Sequence, residues 1–192
     1  MFRYLSKSIV LLLFSVIILC VIYPGAVWVI GQVFFPFQAN GSLVKAPDGT
    51  VVGSRLIAQP FTKDEYFCSR PSAVNYAADG SGGSNKGPTN PDYLKDVEKR
   101  IRDFMKRNPG VSRAEIPAEL VTASGSGLDP DLSPAGAKVQ VARIARARGI
   151  SADKINSIIE ATEEQPLLGL FGPAKVNVLK LNVALDELKS KN

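Results

Sequence analysis

The chain has 192 residues, with 23 Lys or Arg, 18 Asp or Glu, two Cys, no His and a formal charge of +5. Without histidine, Ser-His-Asp and Cys-His catalysis, His-ligated zinc and a His general base are unavailable within the chain, so any catalysis would fall to carboxylates, Lys or Tyr alone. The pI of 9.2 would suit nucleic acid, but the basic residues are interspersed with acids rather than gathered in a stripe, which argues against a nucleic-acid partner.

Arg3 and Lys7 precede a stretch from Ser8 to Val44 that carries no charged side chain. Between Ile9 and Ile22, twelve residues are Ile, Val, Leu or Phe; at roughly −0.3 to −0.6 kcal/mol each, insertion into a bilayer is favoured by up to about 4 to 7 kcal/mol. A helix from Lys7 to Ile30 would be about 36 Å long, enough to cross a hydrocarbon core of about 30 Å with some tilt. The expected layout is a tail over 1–7, a transmembrane helix over 8–31 and one domain over 38–192. A cleaved signal peptide fits less well, because the run continues through Trp28 into Phe34-Phe35-Pro36-Phe37 without a small-x-small site. Leu19 before Cys20 argues against a lipoprotein. The Lys and Arg bias predicts a cytoplasmic tail and a periplasmic or extracellular domain in a single-pass protein, with Arg3, Lys7 and Trp28 at the membrane interfaces. Only Ser8, Ser15 and Cys20 are weakly polar in this helix, too little to line an ion pathway.

The remaining chain can bury a core of its own as one domain. With Arg3 and Lys7 set aside, 21 basic residues meet 18 acidic ones, a balance of +3. Short strands are predicted at Ser42–Val44 and Thr50–Val52 around the turn Pro47-Asp48-Gly49, with a further strand at Leu56 and Ile57. Asp79–Pro88, rich in Gly, Ser and Asn, is a loop that needs a partner to order it. Asn90 caps a helix with Leu94, Val97, Ile101, Phe104 and Met105 on one face, stopped by Asn108-Pro109-Gly110. Ser133-Pro134 opens a helix running to about Arg148, where Arg143, Arg146 and Arg148 favour the helix dipole. Ser151 caps a helix bearing Ile155, Ile158 and Ile159, and Asn177 caps a last one bearing Val178, Leu181, Leu185 and Leu188. The fold class is α+β with helices dominant.

Several motifs fail as catalytic or ligand sites. Gly80–Gly87 resembles a phosphate loop in composition, but Lys86 follows Asn85 and precedes Gly87-Pro88, where Gly-Lys-Ser/Thr would be required. Ser124-Gly125-Ser126-Gly127 does not match a nucleophile elbow. Asp129 and Asp131 flank Pro130 without further acids at calcium-loop spacing, and read as turn and cap residues. Cys20 and Cys68 sit on different sides of the membrane boundary and cannot pair; Cys68 has no evident task. A tethered extracytoplasmic enzyme therefore lacks an activated nucleophile or metal set, and neither catalytic nor metal residues are assigned.

Successive blocks of the chain resemble one family in order and spacing. They are Tyr23-Pro24-Gly25, Gly31, Phe35-Pro36, Gln38–Leu43, Gly53-Ser54, Leu56-Ile57, Gln59, Tyr66-Phe67, Arg70–Ala73 and Ser81–Asn85. Further blocks are Glu119–Asp129, Ser133-Pro134, Gln140, Gln165-Pro166 and Val176–Leu179 with Leu181-Asn182 and Ala184–Asp186. The sequence is similar to the C subunit family of Kdp-type potassium-transporting ATPases, the KdpC family. That resemblance implies an accessory, non-catalytic subunit in a bacterial inner-membrane complex with a channel-like potassium-binding subunit, a P-type ATPase subunit and a small membrane peptide. No cofactor of its own is implied. ATP enters through a family description of the subunit as a catalytic chaperone sharing nucleotide with the ATPase subunit; the corresponding residues here are Ser151 and Lys154, the latter replacing a glutamine often found in the family. The other reading is assembly and gating at the outer potassium entrance. Its candidate partner contacts are Pro24, Gly25, Gly31, Gln38, Asn40, Ser84, Asn85, Ser124 and Ser126.

Overall fold

A computed structural model describes residues 2–46 and 48–190 of the chain. It divides into two units, residues 1–43 and 44–192.

The first unit is built on one apolar helix of 33 residues, Phe2–Phe34, longer at both ends than the expected 8–31. It comprises α1 (Phe2–Val16), a π-helical turn over Ile17–Ile22 and α2 (Tyr23–Phe34). Proline supplies no N–H, and its ring collides with the carbonyl four residues back, here that of Cys20. The widened turn just before Pro24 absorbs this without ending the helix: the Tyr23 N–H donates to the Ile18 carbonyl, five residues back. The helix stops at Phe35, which has φ −135° and ψ 50°, since a residue before proline is driven from the helical region. A single turn, α3 (Pro36–Ala39), follows. Asn40 closes it, its Nδ2 donating to the Pro36 carbonyl at 2.7 Å and to Gln32 Oε1 at 3.2 Å. No residue of these helices is buried.

The second unit opens on a hairpin of β1 (Leu43–Lys45) and β2 (Val51–Ser54), one residue later than predicted at the start of each strand. Asp48 Oδ1 accepts from the Thr50 N–H at 2.9 Å and its hydroxyl at 2.6 Å. Pro47, the first residue of the predicted turn, lies outside the described residues. The strand expected at Leu56 and Ile57 is instead a turn. Ser54 is the cause: its hydroxyl oxygen accepts from the Leu56 N–H at 3.1 Å and its carbonyl from the Ile57 N–H at 3.3 Å, a local alternative to a ladder. From Arg55 to Asn90 the described chain has neither helix nor strand.

The helices follow. α4 (Pro91–Arg107) starts where predicted, with Asn90 Oδ1 accepting from the N–H groups of Asp92 and Tyr93. Its apolar face is only partly covered: Ile101 is buried, whereas Leu94 and Met105 are exposed. Short 3₁₀ turns at Arg113–Glu115 and Ala118–Leu120 lead to β3 (Asp131–Leu132). The single helix expected from Ser133 to Arg148 is two, α5 (Pro134–Lys138) and α6 (Val141–Arg148). Gln140 makes the break, its side-chain Nε2 taking the Gly136 carbonyl at 3.0 Å while its backbone N–H turns to Ala137. α7 (Ala152–Thr162) and α8 (Val178–Ser190) match the predicted caps. Between them lies β4 (Val176–Asn177), paired antiparallel with β3 in the register Asp131 to Asn177 and Leu132 to Val176.

One core joins α5 to α8 with the irregular segment before α4. Ile144, Ile155, Ile159, Leu181 and Leu185 meet Phe67 and Leu132 there, all at 0–2% exposure. The domain is α+β with helices dominant.

Candidate functional site

Two constellations stand out in the domain, and each brings distant residues together. The first pairs the glycine-rich segments. The Gly82 N–H and the Ser81 hydroxyl both donate to the Ser126 carbonyl, at 2.8 and 3.1 Å. A side chain at Gly83 would put its Cβ 2.9 Å from the Gly125 carbonyl oxygen, and one at Gly127 2.7 Å from that of Gly82. The two loops therefore require glycine because their backbones touch, and Gly127 also needs it for its φ of 68°. The expectation that Asp79–Pro88 needs a partner to order it is corrected in part, since Ser81–Gly83 is already held by the domain's own chain. Ser84 and Asn85 project beyond this contact and are exposed. Ser124 is buried, with its N–H donating to the Pro71 carbonyl, and Ser126 is exposed with its Oγ accepting from the Leu128 N–H.

The second constellation surrounds Cys68. Arg143 runs into the interior and donates to the carbonyls of Asp64 and Tyr66, to Asn108 Oδ1 at 3.0 Å and to Gln140 Oε1 at 2.9 Å. Gln140 Oε1 also accepts from the Cys68 N–H at 2.9 Å. Arg107 places Nη1 3.2 Å from the Cys68 sulfur and grips Asp64 and the Thr62 carbonyl. Arg148 donates to the carbonyls of Glu65 and Leu185, pairs with Asp186 at 2.8 Å and lies over the Tyr66 ring. On the far side, Asn182 clamps Phe67 by accepting from its N–H at 2.8 Å and donating to its carbonyl at 3.0 Å.

These side chains replace the hydrogen bonds that a helix or sheet would have given residues 62–68. Desolvation drives the Arg143 guanidinium below its usual value. It also acts to lower Arg107, where the Cys68 sulfur and the Asp64 carboxylate outweigh it and hold that group above its usual value. A cavity of 270 Å³ beside Cys68 is lined by Phe61, Tyr76, Arg100 and Arg107. The Tyr76 hydroxyl, pushed up by burial, donates to the Arg70 carbonyl.

The reading of Arg143 as a dipole-facing cation is thus corrected, since it is buried and outside the last turn of α6, whereas Arg146 and Arg148 do stand in that turn and Arg148 also joins the domain's internal framework. Asp129 and Asp131 are structural, paired with Arg70 and Lys175 at 2.7 Å each, and Asp129 Oδ1 accepts from the Asp131 N–H as a turn residue does. Among the described residues no group of three or more His, Cys, Asp or Glu side chains is arranged to hold a metal ion.

The other candidates are separate from both constellations. Ser151 and Lys154 lie exposed at the start of α7, where Ser151 Oγ accepts from the Lys154 N–H at 3.4 Å as a cap. In the first unit, Pro24 and Gly25 form the opening turn of α2, and a Cβ at Gly25 would meet open space. A Cβ at Gly31 would rest 3.7 Å from that of Ala39, an ordinary contact. Gln38 and Asn40 are exposed at the end of α3; Arg3, Lys7 and Trp28 are exposed along the long helix.

Comparison with known proteins matches residues 5–187 to the family described as KdpC, the K+-transporting ATPase c chain. The chain belongs to the KdpC family. It is 47% identical over 189 residues to a potassium-transporting ATPase KdpC subunit of Bacteroides fragilis, covering 97% of this chain and 98% of the relative. The corresponding subunit of Flavobacterium psychrophilum is 49% identical over 183 residues, with 95% and 97% covered. That of Caldanaerobacter subterraneus is 45% identical over 186 residues, with 96% of each chain covered. The KdpC match spans the apolar helix and the domain alike, so both constellations and the membrane anchor fall within it.

Proposed function

We propose that this KdpC-family chain is the accessory C subunit of a bacterial ATP-driven potassium uptake complex, in which partner subunits bind potassium and hydrolyse ATP. Its apolar helix packs on the channel-like subunit, and its domain stands outside the membrane, covering or gating the potassium entrance. A small membrane peptide completes the assembly. The observation that carries this reading is the helix itself: no charged residue stands between Ser8 and Val44, and no residue of α1 or α2 is buried within the chain. Such a helix offers lipid and neighbouring helices its whole surface and offers an ion no path. The internally bonded Gly and Arg constellations give the domain a defined shape with which to meet a partner.

The contrasting mechanism is a catalytic chaperone that raises the ATP affinity of the ATPase subunit through shared nucleotide. Two features weigh against it. Ser151 Oγ is already engaged in capping α7, and Arg3 and Lys7 before the apolar run favour a cytoplasmic tail, which puts the domain on the side away from cytosolic ATP. The test uses Glu160→Cys, on the exposed side of α7, in a Cys20→Ala, Cys68→Ser background within the assembled complex. An impermeant maleimide is expected to label it only from outside intact cells. Labelling only from the cytoplasmic side sinks the entrance-gating reading and opens the way to ATP sharing.

A further inference from the structure

The hairpin that links α7 to β4 is built to hold apolar side chains in solvent. Glu164 and Lys175 exchange backbone hydrogen bonds at 2.8 and 3.0 Å, and Leu167 and Phe171 exchange two more at 3.0 Å. Leu168 at φ 55° and Gly169 at φ 72° turn the chain at the tip. The result is a bonded finger on which Leu167, Leu168, Leu170 and Phe171 are 70, 80, 81 and 64% exposed. No charged residue occurs from Gln165 to Ala174. Elsewhere in the domain, the large exposed apolar side chains Val51, Leu56, Leu94 and Met105 are scattered over a strand, a turn and a helix and are not gathered at a tip.

Charge returns at the base of the finger. Lys175 pairs with Asp131 at 2.7 Å and approaches Glu164 at 3.8 Å, and Lys180 pairs with Glu164 at 2.9 Å. Arg55 acts electrostatically on both Glu164 and Lys175. Glu163 Oε1 accepts from Gln165 Nε2 at 2.8 Å, so three cations and three anions stand directly behind an uncharged tip.

We propose that this finger is a second membrane contact, its four apolar side chains entering the bilayer and the charge-balanced base behind it lying at the level of the lipid headgroups. Two arguments select lipid over a protein groove. The chain carries its own membrane-crossing helix, so the tip meets a bilayer at the high effective concentration of a tethered ligand, and an insertion too weak to hold a free domain suffices. Four side chains are also few for a protein interface, which typically engages about 20–30 residues a side. The inference rests on the anchor and not on the placement of the domain over a potassium entrance, so it stands or falls separately from that reading.

The test is spin-label accessibility in the full chain, alone and within its assembled complex, in nanodiscs of phosphatidylcholine with and without phosphatidylglycerol. Nitroxides are placed at Leu170→Cys and, as a water-facing control, at Glu160→Cys, both in the Cys20→Ala, Cys68→Ser background. Expected at Leu170 is a several-fold preference for collision with oxygen over a water-soluble nickel complex in both lipid compositions, and the reverse preference at Glu160. A label at Leu167→Cys is expected to lose its oxygen preference when Leu168, Leu170 and Phe171 are all serine, with the near-ultraviolet circular dichroism of the domain unchanged. Equal water accessibility at Leu170 and Glu160 overturns the proposal. So does protection of Leu170 from both reagents only when the partner subunits are present, which would place the finger in a protein groove.

Discussion

The long apolar helix and the domain that follows it are stabilised in opposite ways. In the helix nothing is buried within the chain, and the backbone satisfies itself along its own length, which is the condition for crossing a membrane. In the domain, a stretch from Arg55 to Asn90 without helix or strand is held by side chains from elsewhere in the sequence. Arg107, Arg143, Arg148 and Asn182 supply bonds that the local backbone cannot make for residues 62–68. Composition decides the first region, and a handful of individual polar atoms decides the second.

Two substitutions of similar cost should therefore fail in different places. Arg143→Leu leaves the carbonyls of Asp64 and Tyr66 without this donor, and is expected to lower domain stability by about 3 kcal/mol. Denaturant unfolding of the detergent-solubilised chain, followed by near-ultraviolet circular dichroism, should show this with membrane integration unchanged. Leu13→Lys puts a charge near the middle of the apolar run, at a cost of about 3 kcal/mol to insertion. Carbonate extraction should then release a larger share of the protein, while the domain keeps its unfolding midpoint. A domain that lost its fold with Leu13→Lys would break the separation.

Gly127→Ala comes next. Its Cβ would meet the Gly82 carbonyl and Val74 at 2.7 Å in a backbone conformation that disfavours any side chain, so a loss of about 2 kcal/mol is expected. Because the clash is between loops, the sharper readout is limited proteolysis at Lys86, which should accelerate before global unfolding does.

What could be read from sequence divides along the same line. The apolar span, the Asn90, Ser151 and Asn177 caps and the periodic faces of α4, α7 and α8 are local features, visible because each depends on residues within a turn or two of one another. The strand predicted at Leu56 failed because the Ser54 hydroxyl takes the Leu56 N–H and the Ser54 carbonyl takes that of Ile57. The split between α5 and α6 was hidden because it depends on Gln140 reaching both Gly136 and the distant Cys68. Arg143 and Arg148 looked like surface cations at a helix end, since nothing near them in sequence indicates that their partners are the carbonyls of Asp64, Glu65 and Tyr66. The glycine loops were recognisable as tight backbone, but each one's partner was the other.

A cap tests the local side of this division. Asn90→Ala removes the acceptor for the N–H groups of Asp92 and Tyr93, and about 1 kcal/mol should be lost. α4 buries only Ile101, so fraying should be confined to its first turn and appear as faster amide hydrogen exchange at residues 92–94, with little change in the core.

The smallest effect concerns the charged base of the apolar finger. The Lys180 ammonium hydrogen-bonded to Glu164 holds that carboxyl below its ordinary value of 4.5. A carboxyl depressed in the folded state stabilises the fold above its unfolded value and loses that contribution as pH falls through the folded one. Lys175 behaves oppositely: its bond to Asp131 raises it above 10.5, so its contribution is complete below that value and lost as pH rises through the folded one. The base should hold its ion pairs across the whole neutral range and loosen only at the extremes. Because the Glu164 and Lys175 side chains are 36% and 45% exposed, solvent screening limits the contribution to a few tenths of a kcal/mol. Glu164→Gln should flatten the acid limb of the stability curve by about that amount and weaken the alkaline limb by less, because Glu164 also helps to raise Lys175. It also shifts the base by one positive charge, so a lipid-facing finger should then gain preference for phosphatidylglycerol, whereas a finger seated in a protein groove gives no reason for that lipid dependence.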